Sequence, residues 1–265
     1  MGHSNAPTRR RRGRLFAALL ISISATAAAC GGDDDSGKTT ETTEKPDNTG
    51  PETTAAPPTT AAEEQPVPGG KVIMALEADT SSPWRPSEMV CALSCYQTIR
   101  NIFDTLVMPN EDGSWSPYLA ESLTPNDDFT VWKITARSGV TFHDGTPFDG
   151  AALVENLTRA KNGFVTGAIL RAVKTVELDP SDPMTAIVTV EKPWAAFPFS
   201  LMGQAGFQAS PTWLKATDTD DTLKSKPVGT GPFVYDNYVP GEVFSMKKNP
   251  DYWNAPYPYL DAIEF

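Results

Sequence analysis

Hydrophobic positions divide the chain into an opening without periodicity and a patterned remainder. Residues 31–70 consist largely of Thr, Pro, Ala, Asp and Glu and show neither helix nor strand spacing. Such a segment buries too little apolar surface to offset its conformational entropy. From Lys71 onward, apolar residues recur at the spacings of strands and helices. The sequence therefore predicts a folded region of roughly two hundred residues.

Several segments of the folded region carry a strand pattern. Residues 71–76 form a short, almost wholly apolar run, which predicts a buried strand. Residues 130–136 alternate, with Trp132, Ile134 and Ala136 on one face, and predict a half-buried strand. Two further strands are predicted around residues 173–178 and 186–190.

Helix patterns lie between these strands. Residues 87–104 predict an amphipathic helix, because apolar side chains recur there at three- and four-residue spacing, namely Met89, Leu93, Tyr96, Ile99 and Phe103. Asp149 is placed to cap a second helix over residues 151–161. Strands and helices alternate irregularly and no internal repeat is present, so we expect an α/β or mixed α+β fold with mixed sheets.

The first thirty residues have the layout of an export signal. Five arginines precede an apolar run over residues 15–29, which is shorter than the ~20 residues that a membrane-spanning helix needs. This predicts a signal peptide at 1–29. Ala27-Ala28-Ala29-Cys30 resembles a bacterial lipoprotein box, so we expect lipid on Cys30, a disordered tether over 30–69, and a location at the outer face of the cell membrane. The alternative is a soluble secreted protein cleaved after an Ala-x-Ala site.

Net charge and cysteine content limit which partners and cofactors the protein is expected to bind. The whole chain carries a net charge of −11, and removal of the five signal arginines makes the mature chain more acidic still, so nucleic acid is not an expected partner. Cys91 and Cys95 are four residues apart, and they either form a small disulfide loop or remain two buried thiols. No histidine accompanies them, so the sequence predicts neither a metal site nor a cofactor.

The stretch FHDGTPFDG, residues 142–150, most resembles a reaction centre. Once His3 leaves with the signal, His143 is the only histidine, and a hydrolase would have to use it as base with Asp144 or Asp149. No Gly-x-Ser-x-Gly motif accompanies it. Asp144-Gly145-Thr146-Pro147 is ordinary turn chemistry. We therefore interpret the stretch as a turn and keep a secreted lipoprotein hydrolase as the alternative.

The same stretch carries a family resemblance. Residues 132–157, WKITARSGVTFHDGTPFDGAALVENL, resemble the signature of the family 5 extracellular solute-binding proteins, the receptors of peptide and nickel ABC importers. In that family a strand leads through an Arg-x-Gly-Val step into a Phe-x-Asp-Gly-Thr-Pro turn and a helix. The matching positions are Arg137, Gly139, Val140, Phe142, Asp144, Gly145, Thr146 and Pro147.

Other stretches resemble the family in the same order. They are NIFDTLV at 101–107, Ala-Glu-Ser at 120–122, the Gly229-Thr230-Gly231-Pro232 segment, and NPDYW at 249–253. The resemblance covers residues 70–265 and implies a two-lobed fold of the type II periplasmic binding proteins. Because the family's chains are about twice as long, we expect an N-terminal half, with lobe I at 70–104 and 191–265, an extra domain at about 105–190, and the second lobe absent.

The resemblance implies reversible binding rather than catalysis. Such receptors close two lobes on a peptide or small solute and deliver it to ABC permease subunits, without a cofactor or covalent step. In the family's peptide receptors an acidic residue just after the first strand can face the peptide, which implies Glu77 as a ligand contact, and the alternative is a solvated loop glutamate. Trp84 either walls the cleft as a second contact or covers the edge of the lobe. Gly229-Thr230-Gly231-Pro232 lacks the Gly-Lys-Ser/Thr ending of a phosphate loop and is interpreted as tight backbone packing, and Tyr252 and Trp253 as packing residues. A non-transport sensor or adhesin with this fold is a further alternative.

Overall fold

The structure, a computed structural model, describes residues 65–79 and 83–265. The predicted signal peptide, Cys30 and residues 30–64 of the predicted tether lie outside the described residues. Within the described part of the chain, no helix combines the length and the apolar character needed to cross a bilayer.

The described residues contain ten strands and four α-helices. The strands are β1 (Lys71–Ile73), β2 (Val107–Pro109), β3 (Trp115–Pro117), β4 (Ala120–Pro125), β5 (Val131–Ala136), β6 (Val173–Leu178), β7 (Thr185–Val190), β8 (Phe233–Val239), β9 (Val243–Lys248) and β10 (Ala262–Glu264). The helices are α1 (Leu93–Ile99), α2 (Gly150–Asn162), α3 (Thr166–Ile169) and α4 (Pro211–Thr217). Short 3₁₀ turns occupy Phe197–Leu201, Gln204–Gly206 and Asp221–Ser225.

One four-stranded antiparallel sheet has the order β4-β5-β7-β6. Trp132, Ile134 and Ala136 of β5 are buried in its core, which confirms the alternation seen in the sequence. The strands predicted around 173–178 and 186–190 are β6 and β7. The helix predicted over 151–161 is α2, and Asp149 Oδ1 accepts a hydrogen bond of 2.9 Å from the backbone N–H of Ala152. That bond satisfies one of the free donors at the start of the helix.

The second four-stranded sheet has the order β1-β10-β9-β8. β1 runs parallel to β10, whereas the pairs β10-β9 and β9-β8 are antiparallel. The sheet is therefore mixed, and the mixed α/β fold class is confirmed. Its inner face packs with α1 and α4 in a second core that includes Ile99, Trp213, Phe244 and Met246.

Two predicted elements differ from the structure. The strand predicted at 71–76 spans only Lys71–Ile73, and Ile73 is 69% exposed rather than buried. The prediction of burial was wrong because β1 lies at the edge of the described sheet with β10 as its partner, so its apolar side chains remain open to solvent.

The helix predicted over 87–104 is also shorter than its pattern. α1 covers only Leu93–Ile99, because the backbone N–H of Met89 bonds to the carbonyl of Arg85 in a separate turn. Met89, Ile99 and Phe103 are buried as predicted, but Leu93 is 67% exposed. The helical spacing of apolar residues therefore extends into the turns on both sides of α1, which made the predicted helix too long.

The polypeptide passes from one core to the other at two places. Buried residues from Leu106 to Ala205 belong to the core of the first sheet, and those before and after belong to the core of the second. Val228 packs against both cores. The segments that cross between the cores therefore bring distant parts of the sequence together.

Candidate functional site

Four of the segments that resemble the family meet beside the first crossing between the cores, near residues 103–106. We call this place the junction and define it as residues 101–104, 142–147, 229–232 and 249–253. In the 142–147 turn, the N–H of Gly145 bonds to the carbonyl of Phe142 at 2.9 Å, and the N–H of Thr146 bonds to Asp144 Oδ1 at 3.0 Å. Gly145 has φ of +80°, which favours glycine. The stretch is therefore a hydrogen-bonded corner.

The His143 ring joins this corner to the 229–232 segment. His143 Nε2 lies 2.9 Å from the carbonyl oxygen of Gly231, and the Gly229 N–H donates to Nδ1 at 3.3 Å. A carbonyl on one side and an N–H on the other match the neutral tautomer that carries its proton on Nε2. Burial lowers the pKa of His143, which also favours the neutral ring. Both nitrogens are committed to backbone partners.

The two aspartates beside His143 act elsewhere. Asp144 Oδ2 accepts a hydrogen bond of 2.5 Å from Ser210 Oγ, and Asp149 caps α2. Neither carboxylate orients the imidazole, as the third member of a catalytic triad would. The arrangement of these three residues is that of a structural cross-link.

The Gly229-Thr230-Gly231-Pro232 segment packs against the end of α1. A Cβ atom on Gly229 would lie 2.1 Å from the carbonyl oxygen of Ile102, and one on Gly231 would lie 2.6 Å from it. The Gly231 N–H instead bonds to that carbonyl at 2.8 Å. The two glycines are needed because backbone approaches backbone at this point.

Asp104 lies at the centre of the junction. Its carboxylate accepts hydrogen bonds from Thr230 Oγ1 at 3.1 Å, Tyr252 Oη at 3.1 Å and Trp253 Nε1 at 2.9 Å. Burial raises the pKa of Asp104 to about 6, although these donors oppose the shift. Arg137 stacks over the Trp253 ring at 4.9 Å. Asp104 therefore connects three segments that the sequence keeps far apart.

The predicted ligand contacts Glu77 and Trp84 lie together at a different place. They line a cavity of about 400 Å³, which we call the β1 cavity. Its other walls are the rest of residues 75–79, Thr98 of α1, and the β8–β9 hairpin from Tyr238 to Phe244. Phe265 also contributes. Two residues proposed from sequence alone are thus brought to one concave surface.

Trp84 forms an aromatic wall of the β1 cavity. Only 2% of the residue is exposed, and its ring packs edge-on against Phe244 at 4.9 Å and Tyr238 at 5.5 Å. Its Nε1 is buried and has no hydrogen-bond partner among the described residues. An indole held in this way keeps its apolar face in place and leaves a donor with no described acceptor.

The rim of the β1 cavity is acidic. Glu77, Asp79 and Glu242 all line it, and Glu77 is exposed. Asp79 Oδ2 accepts hydrogen bonds from Tyr238 Oη at 2.9 Å and from the Gly241 N–H at 2.8 Å. Burial raises the pKa of Tyr238 to about 12, so the phenol stays protonated and donates. A cavity with carboxylates and aromatic walls suits a cationic or zwitterionic solute.

Cys91 and Cys95 are joined by a disulfide at the start of α1. Of the two states that the sequence left open, the structure contains the bonded one. No group of three or more His, Cys, Asp or Glu side chains among residues 65–79 and 83–265 is arranged to hold a metal ion.

The sequence of this chain matches a family model. Residues 114–265 match the bacterial extracellular solute-binding proteins, family 5. These residues are more than half of the chain and include three of the four junction segments. The chain therefore belongs to the family 5 bacterial extracellular solute-binding proteins.

Individual relatives agree with this assignment. The chain is 35% identical over 146 residues to the glutathione-binding protein GsiB of Salmonella paratyphi A, and 33% identical to that of Shigella flexneri serotype 5b. Each alignment covers 55% of this chain and 28% of the relative. The chain thus aligns with less than a third of the length of these curated relatives.

Solved structures show the same fold. The periplasmic binding protein DppA of Helicobacter pylori, in complex with the peptide STSA, has a TM-score of 0.64 and 26% identity over 75% of this chain and 42% of that one. AgaA of A. tumefaciens R10, in complex with agropinic acid, has a TM-score of 0.66 and 25% identity over 74% and 39%. AppA of Bacillus subtilis, in complex with a nonapeptide, has a TM-score of 0.65 at 17% identity. The described residues therefore form part of a type II periplasmic binding protein fold.

Sequence reasoning missed two features of these sites. Asp104 was not singled out, although an acid between Phe103 and Leu106 in a mostly apolar stretch is a signal of a buried carboxylate. The β8–β9 hairpin, which walls the β1 cavity, was also not predicted. Its signals were the Pro240-Gly241 turn and the alternation of Phe244 and Met246, both of which are buried.

Proposed function

We propose that this protein is a solute-binding component of an ABC importer that captures a short peptide, or a similar small solute with a free amino group. The observation that carries this proposal is the β1 cavity, where Glu77 and Asp79 stand on the rim beside the Trp84 wall. Family membership supports the class of function, and the cavity supports the class of ligand.

The physical case rests on charge and shape. An ammonium group placed against these carboxylates forms charge-assisted hydrogen bonds, which are stronger than those between neutral groups. Aromatic walls supply the apolar surface that a binding site needs to retain a small molecule. If a second lobe closes over this surface, the ligand drives closure by binding the closed form better than the open form.

The ligands of relatives are consistent with such a solute. GsiB is named for glutathione, and DppA is in complex with the peptide STSA. An oligopeptide, a dipeptide or a peptide conjugate of that size is the solute class that we propose here.

The N-terminal segments fit delivery at a membrane. We propose that residues 1–29 are a signal peptide, that Cys30 carries lipid at the outer face of the cell membrane, and that residues 30–69 tether the binding region near permease subunits. The division into lobe I at 70–104 and 191–265 and an extra domain at about 105–190 belongs to the same proposal. Two acyl chains on Cys30 would be a stable anchor. Intact-mass spectrometry of membrane fractions should find acylated Cys30, and an unmodified Cys30 would exclude the anchor.

The geometry gives no support to the hydrolase alternative. A general base needs a ring nitrogen within reach of a substrate proton, whereas both nitrogens of His143 face backbone groups. Asp144 and Asp149 are occupied by Ser210 and by the start of α2. A reversible binding role requires none of these side chains to react.

Calorimetry of the full-length protein tests the ligand class. We expect short peptides, including glutathione, to bind, and their N-acetylated forms to bind at least about 10-fold more weakly, because acetylation removes the ammonium charge. Glu77→Gln should weaken the binding of the unacetylated peptides by a similar factor. Glu111→Gln, in a distant exposed turn, is the matched control and should change nothing.

Three outcomes would contradict this proposal. They are binding of sugars or nickel chelates without peptides, equal affinity for acetylated and free peptides, and an unchanged affinity in Glu77→Gln. The first outcome would change the solute class. The other two would leave a peptide receptor in place but remove the role of the acidic rim.

A further inference from the structure

A basic segment lies within an acidic chain. The chain carries a net charge of −11, yet residues 156–176 contain no Asp or Glu and include Arg159, Lys161, Arg171 and Lys174. Arg159 pairs with Glu155 and Asp218. The other three cations form no ion pair with any residue that the structure describes. Their charge is therefore available to an outside partner.

Lys161, Arg171 and Lys174 lie around one surface depression. It measures about 500 Å³ and lies between the end of α2 and the start of β6. Arg171 and Lys174 are exposed and Lys161 is half-buried. Glu191 is the one carboxylate among the described residues that line it, so cations outnumber acids there by three to one.

Two exposed apolar side chains belong to the same stretch of chain as these cations, close to Lys161 and Arg171 in sequence. Phe164, in the loop that follows α2, is 87% exposed, and Ile169 on α3 is 40% exposed. The loop is fixed by a 2.8 Å bond from the Gly167 N–H to the Gly163 carbonyl and a 2.6 Å bond from Thr166 Oγ1 to the Ala160 carbonyl. Phe164 is therefore held out into solvent by a well-bonded turn.

We propose that this surface, made of Lys161, Phe164, Ile169, Arg171 and Lys174, rests on anionic phospholipids. Cations at the headgroup level with an aromatic side chain at the acyl boundary are the usual composition of an interfacial membrane contact. An acidic protein loop would also pair with the cations but would leave Phe164 in water, so lipid accounts for more of the surface. The inference rests on the membrane location within the proposed function and adds an orientation to it.

The acidic charge on the rest of the chain favours the same orientation at the membrane. Repulsion between the acidic surface and an anionic bilayer is screened beyond about 8 Å at physiological salt. Close approach through the basic surface is therefore favourable, and each of its cations strengthens binding about fivefold near an anionic leaflet. The extra-domain side of the molecule would face the bilayer.

A local fluorescent reporter tests the contact. The mature chain, which starts at position 30 and so lacks the signal peptide, carries Cys30→Ser, so that no lipid anchor forms, and Phe164→Cys labelled with an environment-sensitive dye. Vesicles of phosphatidylcholine containing phosphatidylglycerol should shift the dye emission to the blue, whereas vesicles of phosphatidylcholine alone should not. A dye at Glu111→Cys is the positional control and should not respond to either vesicle.

A charge series completes the test. Joint replacement of Lys161, Arg171 and Lys174 by Gln should weaken vesicle binding on the order of 100-fold. Joint replacement of Lys215, Lys226 and Lys248 by Gln removes the same charge elsewhere and should have little effect. Retained binding in the first triple variant would overturn the proposal. So would an equal dye shift with inorganic phosphate alone, or a response only to permease-containing membranes, which would indicate a protein partner.

Failure of this proposal and failure of the proposed function remain separable. Peptide calorimetry contains no lipid and reports only on the β1 cavity. A chain that binds peptide but ignores anionic vesicles would keep its ligand role and lose only the lipid contact.

Discussion

The junction and the β1 cavity contain similar side chains but use them differently. At the junction, the His143 ring and the Asp104 carboxylate direct their polar atoms to partners within the protein. At the β1 cavity, Glu77 is exposed and the Trp84 Nε1 has no hydrogen-bond partner among the described residues. Satisfied groups stabilise a fold, whereas groups that still have bonding capacity can recognise a ligand.

The comparison separates recognisable sequence motifs from sites of binding. The segments that most resemble the family meet at the junction, where backbone approaches backbone too closely for other residues. The β1 cavity is built from the end of a short edge strand, residues 75–79, and a hairpin. Residues that define the family can therefore be those that join its parts, while the ligand contacts that we propose lie in less distinctive segments.

Gly229→Ala should have the largest effect on the junction. The new Cβ atom would lie 2.1 Å from a backbone oxygen, so the free energy of unfolding should fall by about 3 kcal/mol or more. Denaturant unfolding followed by circular dichroism measures the loss. Gly113→Ala is the control, because it adds a Cβ atom at an unfavourable φ of +81° but into open space, and it should cost only about 1 kcal/mol. Equal losses would mean that close approach is not what the junction requires.

Asp104→Asn should remove a pH dependence of stability. The folded pKa of about 6 lies above the usual value of 3.8, so the folded state holds the proton more tightly. This contribution to the free energy of unfolding, about 3 kcal/mol, is fully present below pH 3.8 and is lost as the pH rises through about 6. Thermal unfolding between pH 4 and 7 should show the loss in the parent chain and not in Asp104→Asn.

Asp112 supplies a control of opposite sign for that measurement. Its pKa is lowered, chiefly by a hydrogen bond from the Ser114 side chain, so its contribution to stability is lost as the pH falls. Asp112→Asn should leave the change between pH 4 and 7 intact. If the parent chain showed no such change, Asp104 would not be the buried carboxyl that the junction geometry indicates.

His143→Ala should have the smallest of these effects, and the effect should be confined to the free energy of unfolding. It removes hydrogen bonds to the Gly229 N–H and the Gly231 carbonyl, which should cost about 2 kcal/mol. Calorimetry with the peptides used for Glu77→Gln should give an affinity within about twofold of the parent. His143→Gln, which can still bond to both groups, should recover part of the stability. Abolition of a hydrolytic turnover in a folded His143→Ala chain would reverse the assignment of the two regions.

Local signals in the sequence were sufficient for elements whose burial is set by their own spacing. The alternation of β5 and the Asp149 cap of α2 each lie within a few residues, so the strand could be predicted with its buried face and the helix with its start. The 142–147 turn was predicted for the same reason, since Asp, Gly and Pro determine its backbone locally.

Features set by distant partners could not be predicted in this way. The burial of β1 depends on how many strands lie beside it, and this number cannot be inferred from the apolar residues of β1 itself. The length of α1 depends on the turn at Arg85 and on the disulfide that joins Cys91 to Cys95. Glu77 and Trp84 were each proposed as ligand contacts, but the hairpin that completes their cavity comes from about 150 residues further along the chain.

The pairing of β1 with β10 sets a limit on when this region of the protein can fold. Gly70 and Lys71 bond to Asp261 and Glu264, and the first of these bonds spans 191 positions. A ribosome needs roughly 10 to 40 s to synthesise that length, and pairing between such remote strands is intrinsically slow. β1 therefore has no partner strand until the chain has been synthesised to Glu264.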